Sequence, residues 1–207
     1  MYIPKFNLVA DRAILLETMR AYSFAILFGP LDPTIGRAPH RATHLPLVVR
    51  DEGPHGVLEG HFAKANPHWQ ALANRPTLVV FPGPHSYVSP SLYVEQTSVP
   101  TWNYIAIHAY GTLELVEEET AKEALLFNLI DANEPAYADK WRGMPEDYRR
   151  GLLKGIVGFR IPIAHIEGKF KLSQNRSEAD RRGVEAAHRA GGDDQRALAD
   201  WMKRLIG

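Results

Sequence analysis

Residues 103–117 read NYIAIHAYGTLELVE. Ile105, Ile107, Leu113 and Leu115 alternate with Tyr104, His108, Thr112 and Glu114. Successive side chains of a strand point to opposite faces. The alternation therefore predicts a strand with one face in a core and the other carrying rings and polar groups. The spacing changes just after it. In EETAKEALLFNLI (118–130), Ala121, Leu125 and Leu129 align at helical period. Upstream, SFAILFG (23–29), THLPLVVRD (43–51), VLEGHFA (57–63) and PTLVVFPG (76–83) are short and apolar, as buried strands are. EGPHG (52–56) reads as the turn of a hairpin. Downstream, GIVGFRIPI (155–163) and HIEGKFKL (165–172) predict a final pair of strands.

Helices fill the intervals. DRAILLETMRA (11–21) places Ile14, Leu15 and Thr18 on one face. Asn66-Pro67 is a start signal, a capping side chain followed by proline at the first helical position, so HWQALANR is a short helix. PEDYRRGLLK (145–154) is another. Ser177, three residues before Asp180, resembles a capping box opening a C-terminal helix. Gly191-Gly192 separates it from DQRALADWMKRLI, where Leu198, Trp201, Met202 and Leu205 form an apolar stripe. A polar loop with Pro33, Gly36 and Pro39 follows the first long strand, and residues 84–100 read as an ordered loop or irregular strand. No repeat, low-complexity tract or linker interrupts the chain. The reading is one domain over 1–207, with a helical extension from about residue 176. About six strands in hairpin order, with helices inserted and appended, predict a small antiparallel barrel rather than a doubly wound sheet.

Composition narrows the chemistry. The 207 residues are 45% hydrophobic and 23% charged, as in soluble globular proteins. Cysteine is absent, which removes disulfides, thiolate metal sites and a cysteine nucleophile, and fits a cytoplasmic protein. Lys and Arg (24) balance Asp and Glu (24), so no basic excess announces a nucleic-acid surface. MYIPKFNLVADR has no apolar h-region, which predicts no signal peptide. No apolar run approaches the ~18 residues of a membrane helix. GxGxxG, GxxxxGK[ST], HExxH and GxSxG are all missing. Nine histidines raise the question of a metal. His40 and His44 are flanked by Pro39 and Pro46 and share no helix face, and the spacing of His61, His85 and His108 requires no convergence, so we assign no metal site.

Three segments carry candidate ligands. GHFAKANPHW (60–69) sets Lys64 just before a helix start, where free N–H groups and a cation suit a phosphate. The plainer alternative is that Asn66 caps, Lys64 is solvated and Trp69 packs. In HIEGKFKLSQNR (165–176), Lys169 and Lys171 share a strand face and precede Ser173, Gln174 and Asn175, a set that suits an anion or is simply solvated. VPTWNY (99–104) places Trp102 and Tyr104 around Asn103, for stacking on a planar ring or for packing.

Taken in order, MYIPKFN, ATHLPL (42–47), GHFAKANPHW, FPGPHSYVSPSLY (81–93), VPTWNY, GIVGF (155–159) and IEGKFKLSQNR (166–176) resemble the PaiB-like family of FMN-binding negative transcriptional regulators. The resemblance runs from Met1 to about Val184. It implies a split β-barrel and a homodimer with FMN at the subunit interface. Carried over by position, it implies that Lys64 pairs with the FMN phosphate, Asn66 forms the turn and His61 lies on the strand beneath. Thr43 and His44 would come from the neighbouring strand. Trp102, Asn103, Lys171, Ser173, Gln174 and Asn175 would approach from the same or the partner subunit. Two further readings stay open, an FMN-dependent oxidoreductase or flavin reductase and a haem-binding split barrel. DNA contact is weakly supported, because residues 176–207 carry seven Lys/Arg against six Asp/Glu.

Overall fold

The structure is a computed structural model that describes residues 1–30, 40–94 and 97–206. The predicted polar loop with Pro33, Gly36 and Pro39 lies outside the described residues. The chain forms two compact units. One comprises Met1–Leu15, Pro82–Ile107 and Glu167–Gly207, and the other Leu16–Phe81 and His108–Ile166. Among the described residues, nine strands join one antiparallel-type sheet and seven α-helices surround the strand sequence. In chain order these are β1 (Leu8–Val9), α1 (Arg12–Ala21), β2 (Phe24–Pro30), β3 (His40–Pro46), β4 (Val48–Arg50), β5 (Val57–Ala63), α2 (His68–Leu72), β6 (Pro76–Val88), β7 (Thr101–Thr112), β8 (Glu114–Val116), α3 (Glu119–Asn133), α4 (Ala138–Arg142), α5 (Glu146–Lys154), β9 (Ile156–Lys171), α6 (Glu178–Arg189) and α7 (Asp193–Ile206). The main path runs β3-β2-β6-β7-β9-β5-β4. The antiparallel sheet with inserted and appended helices is the fold of the split β-barrels, although the helices hold as many residues as the strands.

In the Leu16–Phe81/His108–Ile166 unit, β2 and β3 form a hairpin from Phe24↔Pro46 to Pro30↔His40. The predicted 52–56 turn joins β4 to β5, and β5 pairs with β9 from Val57↔Pro162 to Ala63↔Ile156. Leu27, Leu58, Phe62, Phe81, Phe159 and Ile161 are buried between these strands and α2. The rings of Phe62 and Phe159 lie 5.0 Å apart. Burying such side chains is the main stabilising contribution here, about 1.5–3 kcal/mol each.

Several predicted boundaries shift, two of them for a clear backbone reason. The strand predicted over 103–117 breaks at Leu113. Its N–H donates to the Arg75 carbonyl at 3.2 Å and its own carbonyl accepts from Asn74, so it leaves the ladder to tie down the α2–β6 connection. The two strands predicted at 155–163 and 165–172 are one, β9. Pro162 sits where the β5 ladder ends, and Ile163 N–H then bonds the Gly56 carbonyl, so the proline removes no needed donor. β6 runs to Val88, taking in residues predicted as loop.

In the other unit, β7 buries Asn103, Ile105 and Ile107 while Trp102, Tyr104 and Ala106 alternate to the opposite side. The α7 stripe is a core element of this unit. Leu198, Trp201 and Met202 are buried, and Trp201 packs edge-on against Phe170 of β9 at 5.1 Å. Ser177 Oγ accepts from Asp180 N–H, as the predicted cap requires. The Asp180 carboxylate accepts from Val94 N–H at 2.7 Å, fastening the segment after β6 to α6.

Candidate functional site

The predicted site residues fall into two groups, one in each unit. Thr43, His44, His61, Lys64 and Asn66 belong to the unit holding β3 and β5. The turn after β5 is fixed by its backbone. Lys64 N–H donates to the Gly155 carbonyl at 2.8 Å, Asn66 N–H donates to the Ala63 carbonyl, and the Trp69 indole N–H donates to the Lys64 carbonyl. This leaves the Lys64 side chain exposed. Asn66 Oδ1 accepts the His68 N–H at 3.1 Å, so Asn66 caps the helix as its sequence position predicts. The helix itself, α2, is five residues long. A single turn contributes little dipole, so positive charge at this turn comes from side chains.

A second cation stands there. Arg41 Nη1 lies 3.5 Å from Asn66 Oδ1. Thr43, on the same face of β3, places Oγ1 2.8 Å from His68 Nδ1 and 3.4 Å from Asn66 Nδ2. His68 is fully buried, with its ring edge-on to Phe62. Burial, and then the Arg41 charge, push its pKa below the usual 6.5, so the imidazole is neutral. Among the described residues Nε2 has no partner within hydrogen-bonding geometry; it faces Gly29, whose carbonyl acts in the opposite direction. That contact favours the proton on Nε2. Nδ1 then accepts from the Thr43 hydroxyl, which in turn accepts from Asn66. The chain of bonds runs Asn66 to Thr43 to His68 and fixes which way each group points. Arg41 and His68 were not among the predicted site residues. The predicted strand began at Thr43, three positions after the start of β3 at His40. Extending the alternation back from Thr43 finds Arg41.

His44 alternates to the opposite, exposed side of β3 and stacks on Phe24 at 6.1 Å. His61 is half-buried on β5 opposite Gly158, and burial lowers its pKa. Gly29 also touches Leu72 of α2, where a Cβ would lie 2.0 Å from Leu72 Cδ2. The same glycine lines a mostly apolar cavity of about 600 Å³ with Phe28, His40, Thr77, Tyr110 and Thr112.

Trp102, Asn103, Lys171, Ser173, Gln174 and Asn175 belong to the other unit. Here the structure separates scaffold from surface. Asn103 is fully buried; its Oδ1 accepts from Ser173 Oγ at 3.0 Å and its Nδ2 lies 3.5 Å from His188 Nε2. Ser173 takes φ +66°, a left-handed conformation uncommon for serine, which this bond holds. Gln174 spends its amide on its own turn, accepting from Leu172 N–H at 2.7 Å and donating to the Phe170 carbonyl. Trp102 and Asn175 remain at the surface, and Lys171 is half-buried. Among the described residues no three His, Asp or Glu side chains are grouped to hold a metal ion.

Residues 1–165 match the protein family described as "Putative FMN-binding domain". The chain belongs to this family. Within it the chain is PaiB-like, being 36% identical to the Bacillus subtilis protease synthase and sporulation protein PAI 2 over 89% of this chain and 87% of that protein. An uncharacterized protein of Emericella nidulans is 32% identical, covering 89% of this chain and 88% of its own length. Among solved structures, the flavocytochrome Anf3 from Azotobacter vinelandii superposes with a TM-score of 0.61 at 15% identity, covering 87% of this chain and 78% of that one. The FAD and heme binding protein from Mycobacterium smegmatis gives 0.60 at 16%, covering 90% and 81%. At those identities the structural likeness speaks to the fold alone. FMN is the cofactor of this family, and the donor set fits its phosphate. Among the described residues neither Arg41 nor Lys64 is paired with a carboxylate, and they stand with amide and hydroxyl groups whose orientation is already fixed.

Proposed function

We propose that the protein is a homodimeric, cytoplasmic FMN-binding regulator of the PaiB type, folded as one domain with a helical extension, and that the β3–α2 turn holds the FMN phosphate. The observation that carries this reading is the Arg41–Asn66–Thr43–His68 network. Arg41 and Lys64 supply charge, Asn66 fixes the turn, and Thr43 with His68 locks Asn66 in one orientation. The adjoining cavity, about 600 Å³ and mostly apolar, has the size and character of a site for a planar ring. His61 lies on the strand leading into the turn, and His44 on the neighbouring one. Bound FMN supplies one- and two-electron redox capacity through its isoalloxazine ring. The regulatory reading is supported by kinship with PAI 2. Dimerisation is supported by large apolar side chains at the surface of the Met1–Leu15 segment. Tyr2, Phe6 and Leu8 are at least half exposed there, and a partner would cover them. Direct DNA contact is not part of the proposal, since the balanced charge of the chain offers no phosphate footprint.

The test compares FMN with riboflavin, which lacks the phosphate. Lys64→Ala and Arg41→Gln should each weaken FMN at least about tenfold, the loss of one charge-assisted contact. They should leave riboflavin affinity unchanged. Equal weakening of both ligands, or of neither, refutes the phosphate assignment.

A further inference from the structure

The β3–α2 turn of the Leu16–Phe81/His108–Ile166 unit contains a fully buried titratable group, His68. Its neighbours Arg41, Thr43 and Asn66 are half-buried and keep an edge open to solution, and Lys64 is exposed. From β2 the imidazole meets the Gly29 backbone, and from β5 the Phe62 ring, edge-on at 6.3 Å. His61, next to Phe62, alternates to the other face of β5. Beyond His68 itself, α2 (HWQAL) carries no charged side chain. Among the described residues the charge that acts on the imidazole is that of Arg41 on β3.

A hydroxyl has one hydrogen to donate and two lone pairs to accept with. Thr43 Oγ1 lies 2.8 Å from His68 Nδ1 and 3.4 Å from Asn66 Nδ2. With the imidazole neutral and its proton on Nε2, the Thr43 hydrogen goes to Nδ1 and is withheld from any anion at the turn. Protonation at Nδ1 reverses that bond. Thr43 Oγ1 then accepts from both Nδ1 and Asn66 Nδ2, and its own hydrogen is released. A second cation buried beside Arg41 is unfavourable by itself, and burial and then Arg41 hold the imidazole neutral for that reason. An anion placed on Arg41 and Lys64 offsets the added charge. Proton and anion therefore favour each other, by the same factor in both directions.

We propose that His68 is a positioning residue of this turn, taking up a proton at Nδ1 as an anion arrives and so turning the Thr43 hydroxyl hydrogen toward that anion. The inference deepens the flavin reading and rests on it for the identity of the anion, the FMN phosphate. The consequence is regulatory. Acid tightens the hold on the cofactor and alkali loosens it. The phosphate's own proton works in the opposite sense. A monoester with a second pKa of about 6 sheds protons when cations bind it, so the sign of the proton exchange identifies its source.

Calorimetry in two buffers of different ionisation enthalpy counts the protons that accompany FMN binding at about pH 7.5, where the free phosphate is mostly dianionic. NMR follows the His68 imidazole through a pH titration with and without FMN. The proposal expects net proton uptake by the wild type and an imidazole that stays protonated to higher pH once FMN is bound. FMN affinity should rise toward acid by up to about tenfold per pH unit. In His68→Asn the amide oxygen can accept from Thr43 but takes no proton, so FMN should still bind and the uptake should vanish. Thr43→Val should reduce the uptake and Thr43→Ser restore it. Thermal melts confirm folding, and where a variant does not fold the wild-type NMR titration decides. No uptake, proton release, or uptake that persists in folded His68→Asn overturns the proposal and leaves the phosphate assignment standing. A wild type that binds no FMN sinks the flavin reading instead. The NMR titration is then repeated with sulfate, which has no proton to exchange in this range. An imidazole titration moved to higher pH upholds the coupling, and an unmoved one refutes it.

Discussion

At the scale of single residues, the β3–α2 turn works through hydrogen bonds whose direction is forced. Thr43 Oγ1 is the hinge of the set, since it meets both His68 Nδ1 and Asn66 Nδ2. Thr43→Val keeps the shape and removes the hydroxyl, leaving a fully buried imidazole nitrogen unpaired. We expect a loss of about 1–3 kcal/mol, read as a lower urea midpoint, with Thr43→Ser close to wild type. FMN affinity should fall in Thr43→Val as well, because Asn66 loses its anchor. Much of this was legible in GHFAKANPHW, where Asn66-Pro67 announced a cap and Lys64 a charge. What was not legible was the partner across the sheet. Arg41 and Asn66 are 25 positions apart, and only the β2–β3 register brings β3 to the turn. Nor did residue type reveal that Asn103, Ser173 and Gln174 are scaffold. That depends on burial for Asn103 and Ser173 and on bonds to its own turn for Gln174, which Ser, Asn and Gln do not declare in sequence.

At the scale of elements, close approach between backbones sets the sheet. Gly111 of β7 faces β9, and a Cβ there would lie 2.3 Å from the Pro162 carbonyl oxygen. Backbone cannot swing aside as a side chain can. Gly111→Ala should therefore destabilise by about 1–3 kcal/mol or more, measured by thermal or urea unfolding. Gly29→Ala meets a leucine terminus and should cost less, while shifting α2 and weakening FMN binding. Periodicity identified most of these elements, because β7 and α7 each keep one clean apolar face, while β5 is a short run buried on both. It misjudged strand ends. The reading divided β9 after Ile163, but the strand runs on, and Pro162, at the end of the β5 ladder, removes no paired donor. Leu113 gave no sign of leaving its ladder, because its departure is a backbone contact with the connection before β6.

At the scale of the whole molecule, acid sensitivity and cofactor binding are the properties that integrate the parts. His61, His68 and His188 all have pKa values pushed below the usual 6.5, in each case first by burial. A lowered folded pKa means the unfolded chain binds more protons as pH falls. The stability these groups contribute is complete above pH 6.5 and drains away below it, toward their folded pKa values. Urea midpoints should be flat from pH 8 to 7 and fall on the way to pH 5.5, and His188→Asn should flatten the fall. A midpoint that rises with acid would contradict this. The barrel class followed from strands in hairpin order, and FMN from the ordered resemblance rather than from any spacing. Sedimentation equilibrium should give twice the 23.2 kDa chain mass if the dimer proposal holds. The central claim is that this chain binds FMN through a preformed phosphate turn, and fluorescence titration of the apo-protein tests it most directly. The account predicts saturable quenching of FMN that weakens at least about tenfold in Lys64→Ala and Arg41→Gln. Unquenched FMN with the folded wild-type protein, or quenching indifferent to both substitutions, would contradict it.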